Sequence, residues 1–169
     1  ENSKAVTTVT ATDPDAGTKL TYSISGGSDS SKFTIDSASG ALSFVAAPDF
    51  ENPTDSGANN VYDVTVQVSD GSLTKTQAVA VTVTNVNDAA PSIGGGASAA
   101  VTVAENTNAV TTITATDADA GSKLTYTIAG GADSAKFTLN SSTGALSFIT
   151  APDYENPTDS GTNNVYDVT

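Results

Sequence analysis

Shifting the chain by 104 residues lays it upon itself. Residues 1–65 align with 105–169 without a gap, and 48 of those 65 positions are identical. Landmarks fall in step: Glu1 with Glu105, Asp13 with Asp117, Tyr22 with Tyr126, Phe33 with Phe137, Pro48 with Pro152, and Tyr62 with Tyr166. A period this long exceeds that of short solenoid repeats and matches whole domains in tandem. The exchanges conserve volume, as Val9 for Ile113, Ile35 for Leu139 and Phe50 for Tyr154, which is what a retained core demands. Whatever one unit folds into, the other must fold into as well.

The units read as all-β. Valine and threonine favour pleated, half-buried strands, and Gly, Asn, Asp and Pro favour the turns between them. Strands are expected at Val6–Ala11, Leu20–Ile24, Phe33–Ile35 and Leu42–Phe44, with the last two forming a hairpin about Gly40. Tyr62, Val64, Val66 and Val68 alternate with Asp63, Thr65 and Gln67, the signature of a strand with one face buried and one wet. Val79, Val81 and Val83 repeat it. About seven short strands per unit predict a Greek-key, immunoglobulin-like sandwich of two sheets, with Tyr22, Phe33, Phe44 and Tyr62 (and Tyr126, Phe137, Phe148 and Tyr166) in the cores. The units are expected at 1–88 and 89–169, joined by a short extended linker that Pro91 stiffens. Val101–Val103 reads as an opening strand with no counterpart before Glu1, and 66–88 has no counterpart after Thr169. The span is thus expected to start and stop inside repeats, the first lacking its opening strand and the second its closing ones.

The chain carries 19 Asp and Glu against 6 Lys and Arg, a net charge of -13. No basic patch is available to offset nucleic-acid phosphates or an anionic membrane. There are no Cys, Met, Trp or His, so zinc and copper sites and His- or Cys-based catalysis are disfavoured, and cations that prefer oxygen ligands remain. No apolar run reaches membrane-spanning length.

The acidic residues recur at fixed places beside strand ends. They are Glu-Asn (Glu1, Glu105), Asp-x-Asp-x-Gly (Asp13 and Asp15; Asp117 and Asp119), Asp-aromatic-Glu (Asp49 and Glu51; Asp153 and Glu155), Asp70 after the long alternating strand, and Asn87-Asp88 in the linker. Alternate residues of an extended segment point the same way, so each pair offers two carboxylates on one side. Such pairs repel unless a hard cation joins them, or else they are merely solvated turns. An EF-hand does not fit, since a loop starting at Asp13 would place Ile24 where the bidentate Glu belongs.

Taken in order, these motifs resemble those of the cadherin-like repeat, found in animal cadherins and, in this Thr/Asp/Gly-rich style, in large bacterial surface adhesins. The resemblance implies calcium between successive repeats. The upstream repeat would contribute the Glu of Glu-Asn, the Asp-x-Glu pair and the linker, and the downstream repeat the Asp-x-Asp pair and the Asp ending the long strand. Carried over, Glu1, Asp49, Glu51, Asn87 and Asp88 would act with Asp117 and Asp119. Asp13, Asp15 and Asp70 would serve a preceding linker, and Glu105, Asp153 and Glu155 a following one. Two departures stand out: Phe50 or Tyr154 replaces the Arg usual inside Asp-x-Glu, and Ala89 replaces the linker's final Asn. The resemblance further implies a calcium-rigidified repeat of an extracellular adhesin or fibre serving adhesion or biofilm assembly. Its partners would be neighbouring repeats and lateral or end-to-end homotypic contacts. A domain that itself binds a glycan or protein is the alternative, and an enzyme is not expected.

Overall fold

The computed structural model describes residues 1–15 and 17–169, and these form two compact units, Glu1–Val86 and Asn87–Thr169. Both are all-β.

In the first unit, β1 (Ala5–Thr8), β4 (Ala41–Phe44) and β3 (Phe33–Ile35) form one antiparallel sheet in that order. A second sheet has the order β2 (Thr21–Gly26), β5 (Val61–Ser69) and β6 (Thr74–Thr82). The chain crosses between sheets at β1–β2, β2–β3 and β4–β5, so both sheets contribute inward faces to one core. The expected alternation sets the burial of β5: Tyr62, Val64 and Val66 are buried while Asp63 is exposed. From the opposite sheet come Phe33, Leu42 and Phe44, and Val83 closes the cluster. Phe33 stacks on Phe44 with centroids 4.6 Å apart, and Tyr62 meets both rings edge-on at 6.4 and 5.1 Å. These arrangements suit the ring quadrupoles and add to the burial of apolar area.

The hairpin of β3 and β4 forms in the expected register, with Phe33 opposite Phe44 and Ile35 opposite Leu42. Its turn requires glycine. Gly40 has φ +74, and a Cβ there would lie 2.2 Å from the Val9 carbonyl oxygen and against the Tyr22 ring. Tyr22 is buried beside this turn rather than within the aromatic cluster, and its hydroxyl accepts the Ala11 amide.

The second unit repeats the first sheet as β10 (Phe137–Leu139), β11 (Ala145–Phe148) and β8 (Ala109–Thr112). Phe137, Phe148 and Tyr166 rebuild the aromatic triad at 4.6, 6.5 and 5.0 Å. Tyr126 and Tyr166 are half-buried here, whereas Tyr22 and Tyr62 are buried. The cause is local. The counterpart of β5 begins at Val165 and bonds the 129–130 segment through Thr169. Among the described residues, 123–129 forms no ladder.

Two strand expectations need correction. The first strand ends at Thr8 and does not run to Ala11. The opening strand of the second unit is β7 (Ser92–Ile93), paired with β9 (Ala115–Thr116), and Val101–Val103 forms no ladder. A strand exists only where a partner offers hydrogen bonds. Residues 11 and 12, equivalent to β9, have no partner of the β7 kind among the described residues.

Candidate metal-binding carboxylates

Each acidic motif is held by main-chain bonds that aim its oxygens. Asn2 takes the left-handed conformation (φ 61), which asparagine tolerates better than most residues, and donates its N–H to the Pro48 carbonyl. That turn lays Glu1 beside the 48–51 segment. Glu1 Oε2 accepts the Phe50 amide at 2.7 Å and Oε1 accepts the Val86 amide. These two amides hold the Glu1 carboxyl below the usual carboxylate range. A Glu1 oxygen and a Glu51 oxygen lie within 4.8 Å of one another. Asp49 stands outside this close pair, and its Oδ1 accepts the Asn52 amide at 3.0 Å. Residues 50–52 form a bend, so the extended-strand argument for pairing Asp49 with Glu51 does not apply.

In the second unit Asn106 (φ 58) donates to the Pro152 carbonyl, and Glu105 Oε2 accepts the Tyr154 amide at 3.1 Å. Here all three motif carboxylates converge: Glu105, Asp153 and Glu155 each place one oxygen within 4.8 Å of the others, at an exposed surface.

The Asp-x-Asp motifs are Asx turns, with the Asp13 and Asp117 carboxylates accepting the Asp15 and Asp119 amides at 2.8 and 2.9 Å. The two copies then differ. Asp15 is exposed, whereas Asp119 is only 3% exposed. Asp119 Oδ2 accepts the Ala89 amide at 2.9 Å, while Oδ1 is buried with no hydrogen-bond partner. Ser122 Oγ donates to Asn87 Oδ1 at 3.3 Å, so the 87–89 segment is tied to the Asp-x-Asp turn within one unit. Asn87 and Asp88 are exposed. Asp70 accepts the Leu73 and Ser72 amides, which hold its carboxyl below the usual range.

Sequence reasoning passed over a second set of carboxylates. Asp29, Asp55, Asp133 and Asp159 are all buried. Asp29 Oδ1 accepts the Ser56 amide at 2.7 Å and Oδ2 the Asp63 amide at 2.8 Å; Asp133 does the same with Ser160 and Asp167. Asp55 accepts three amides, from Gly57, Asn59 and Asn60, and Asp159 those of Gly161, Asn163 and Asn164. Burial pushes the Asp55 and Asp159 carboxyls up, but the amide bonds together outweigh it and the net direction is downward. Main-chain donors meet both oxygens of each of these four residues and shape the 53–60 and 157–164 loops. The available signal was the stretch Pro-Thr-Asp-Ser-Gly-x-Asn-Asn, present in both units.

A family profile described as "Cadherin domain" matches residues 1–84. Protocadherin-23 of Homo sapiens is 38% identical over 133 residues, covering 73% of this chain and 4% of that protein. Halomucin of Haloquadratum walsbyi is 54% identical over 41 residues, which is 24% of this chain and rounds to 0% of that protein. The chain thus spans a small fraction of the length of these relatives. Among solved structures, human Protocadherin-24 EC1-2 superimposes with a TM-score of 0.73 at 24% identity, covering 92% of this chain and 72% of that one, a likeness of fold.

Proposed function

Because residues 1–84 form a cadherin domain and the second unit repeats its sequence, we propose that this chain is a calcium-stiffened structural stretch of an extracellular adhesin or surface fibre. Cadherin domains are extracellular, non-enzymatic adhesion modules, and they generally bind calcium at the linkers between repeats. The motif carboxylates match the two kinds of half-shell such ions use. One is the Glu-Asn and Asp-x-Glu group, with Glu1, Asp49 and Glu51 in one unit and Glu105, Asp153 and Glu155 in the other. The second is the Asp-x-Asp turn with its linker, Asn87 and Asp88 with Asp117 and Asp119. Asp13, Asp15 and Asp70 are the corresponding residues of the first unit.

The observation that carries this reading is the Asp119 carboxylate, buried with one oxygen bonded to the Ala89 amide and the other without a hydrogen-bond partner. A buried charge with an open oxygen is costly unless a cation meets it. The donors are all oxygen, the set that calcium takes six to eight of. When bound, calcium would supply the positive charge that lets these carboxylates face one another. The protein's part is to hold them: the Asx turn sets Asp119, and the Phe50 and Tyr154 amides set Glu1 and Glu105.

Calcium that binds only the folded state stabilises it by about 2.7 kcal/mol at a hundredfold excess over the dissociation constant. Thermal melts with calcium and with chelator test the reading, together with small-angle scattering. Chelation is expected to lower the melting temperature and shorten the mean end-to-end distance, and Asp117→Ala with Asp119→Ala to remove part of the calcium response. Melts and scattering profiles that superimpose with and without calcium would return these motifs to solvated turns.

A further inference from the structure

We propose that Asn60 and Asn164 are positioning residues that set the calcium affinity of the Asp-x-Glu groups, a role that rests on the calcium reading above. The residue between Asp and Glu is pinned on both sides. The Phe50 N–H donates to Glu1 Oε2 at 2.7 Å, and the Phe50 carbonyl accepts Asn60 Nδ2 at 2.9 Å. The second unit repeats this with Tyr154, whose N–H donates to Glu105 Oε2 at 3.1 Å and whose carbonyl accepts Asn164 Nδ2 at 3.1 Å. Both contacts are to main chain, so they survive the exchange of Phe50 for Tyr154.

The asparagines are themselves anchored. Asn60 and Asn164 sit at φ 62 and 63, and their own amides donate to Asp55 and Asp159, each at 3.0 Å. Those buried carboxylates also gather the rest of the loop. A continuous path therefore runs from a buried Asp, through the loop, to the peptide carrying the calcium-facing carboxylates. Asparagine suits this position because it tolerates the left-handed region and carries a short amide donor. Without the cation, Glu105, Asp153 and Glu155 repel at a separation within 4.8 Å. A pinned backbone keeps them from swinging apart, so less order must be imposed when the ion binds. Residues that orient ligands in this way typically change metal affinity 10- to 100-fold when removed.

Glycine isolates the amide. It keeps the positive φ and the N–H to Asp55 or Asp159, and removes the side chain whose Nδ2 bonds the Phe50 or Tyr154 carbonyl. Calcium alone is titrated calorimetrically into the full chain, into Asn60→Gly and Asn164→Gly singly, and into Thr162→Gly, a change in the same loop that leaves the amide in place. Each is measured below its calcium-free melting transition, with Glu155→Gln as a loss-of-ligand reference. The expected result is a dissociation constant raised about tenfold or more in each Asn→Gly variant and unchanged in Thr162→Gly. A purely structural asparagine would shift the calcium-free melting temperature and leave the constant alone. Asn→Gly variants that bind as the parent does would overturn the positioning role while leaving the calcium reading intact. A parent chain that gives no calcium isotherm would remove both.

Discussion

Replacing Asp29 with alanine would cut the tie between the 53–60 loop and the sandwich. Asp29 is 3% exposed, and its carboxylate accepts the Ser56 amide at 2.7 Å and the Asp63 amide at 2.8 Å. In Asp29→Ala both donors lose their acceptor in a part-buried setting. An orphaned buried donor costs roughly 1–3 kcal/mol, and water entering the space left by the carboxylate recovers some of it. The net loss for the first unit is therefore about 3 kcal/mol. For a domain of this size that corresponds to roughly 12–24 °C in melting temperature. Asp29→Asn should fall between, since its remaining carbonyl serves one amide while its NH2 faces the other. Urea unfolding of the intact chain, followed by tyrosine signals, reads the effect, and Asp133→Ala should do the same to the second unit. A loss below about 1 kcal/mol in Asp29→Ala would mean that solvent satisfies these amides equally well, and the argument from burial would fail.

Thr162, at φ 52, is a β-branched residue in the left-handed region, which costs about 1–2 kcal/mol. Thr162→Gly should raise the stability of the second unit by about 0.5–1 kcal/mol after glycine's extra chain entropy, and a lower unfolding midpoint would refute the strain. The Asp55 and Asp159 carboxyls are held below their usual range in the folded chain, so the folded state binds their protons less readily than the unfolded one. Their stabilisation is full above the ordinary Asp range near pH 4 and is lost as pH falls through the folded values. Asp55→Asn should flatten that acid limb, as pH-dependent melts would show.

The alternation of Tyr62, Val64 and Val66 made β5 and its buried face readable, because period-two patterning is a local property. The hairpin about Gly40 was readable for the same reason. Val101–Val103 misled because composition makes a segment fit for a strand, while only a partner makes it one. The buried Asp29 and Asp133 escaped notice because their acceptor role depends on amides 27 and 34 residues away. Asp49 and Glu51 share the spacing of Asp153 and Glu155, yet only the second pair joins its Glu-Asn glutamate in one cluster, a difference between the units that no spacing rule reports. Asn60 gave no sign of its task, since its target is a carbonyl, which every residue has.

The saturated 53–60 loop bears on survival outside a cell. Proteases cut by drawing an extended segment into their active sites, and exposed loops are where they usually succeed. Here the Ser56, Gly57, Asn59 and Asn60 amides are all bonded to the Asp29 and Asp55 carboxylates, and Thr54 is tied to the Tyr62 hydroxyl. To be stretched into a protease cleft, the loop must first release these bonds together, an opening that also disturbs the aromatic core at Tyr62. Nicking there is thereby coupled to partial unfolding of the domain, and a loop exposed in every repeat need not be a weak point of the chain.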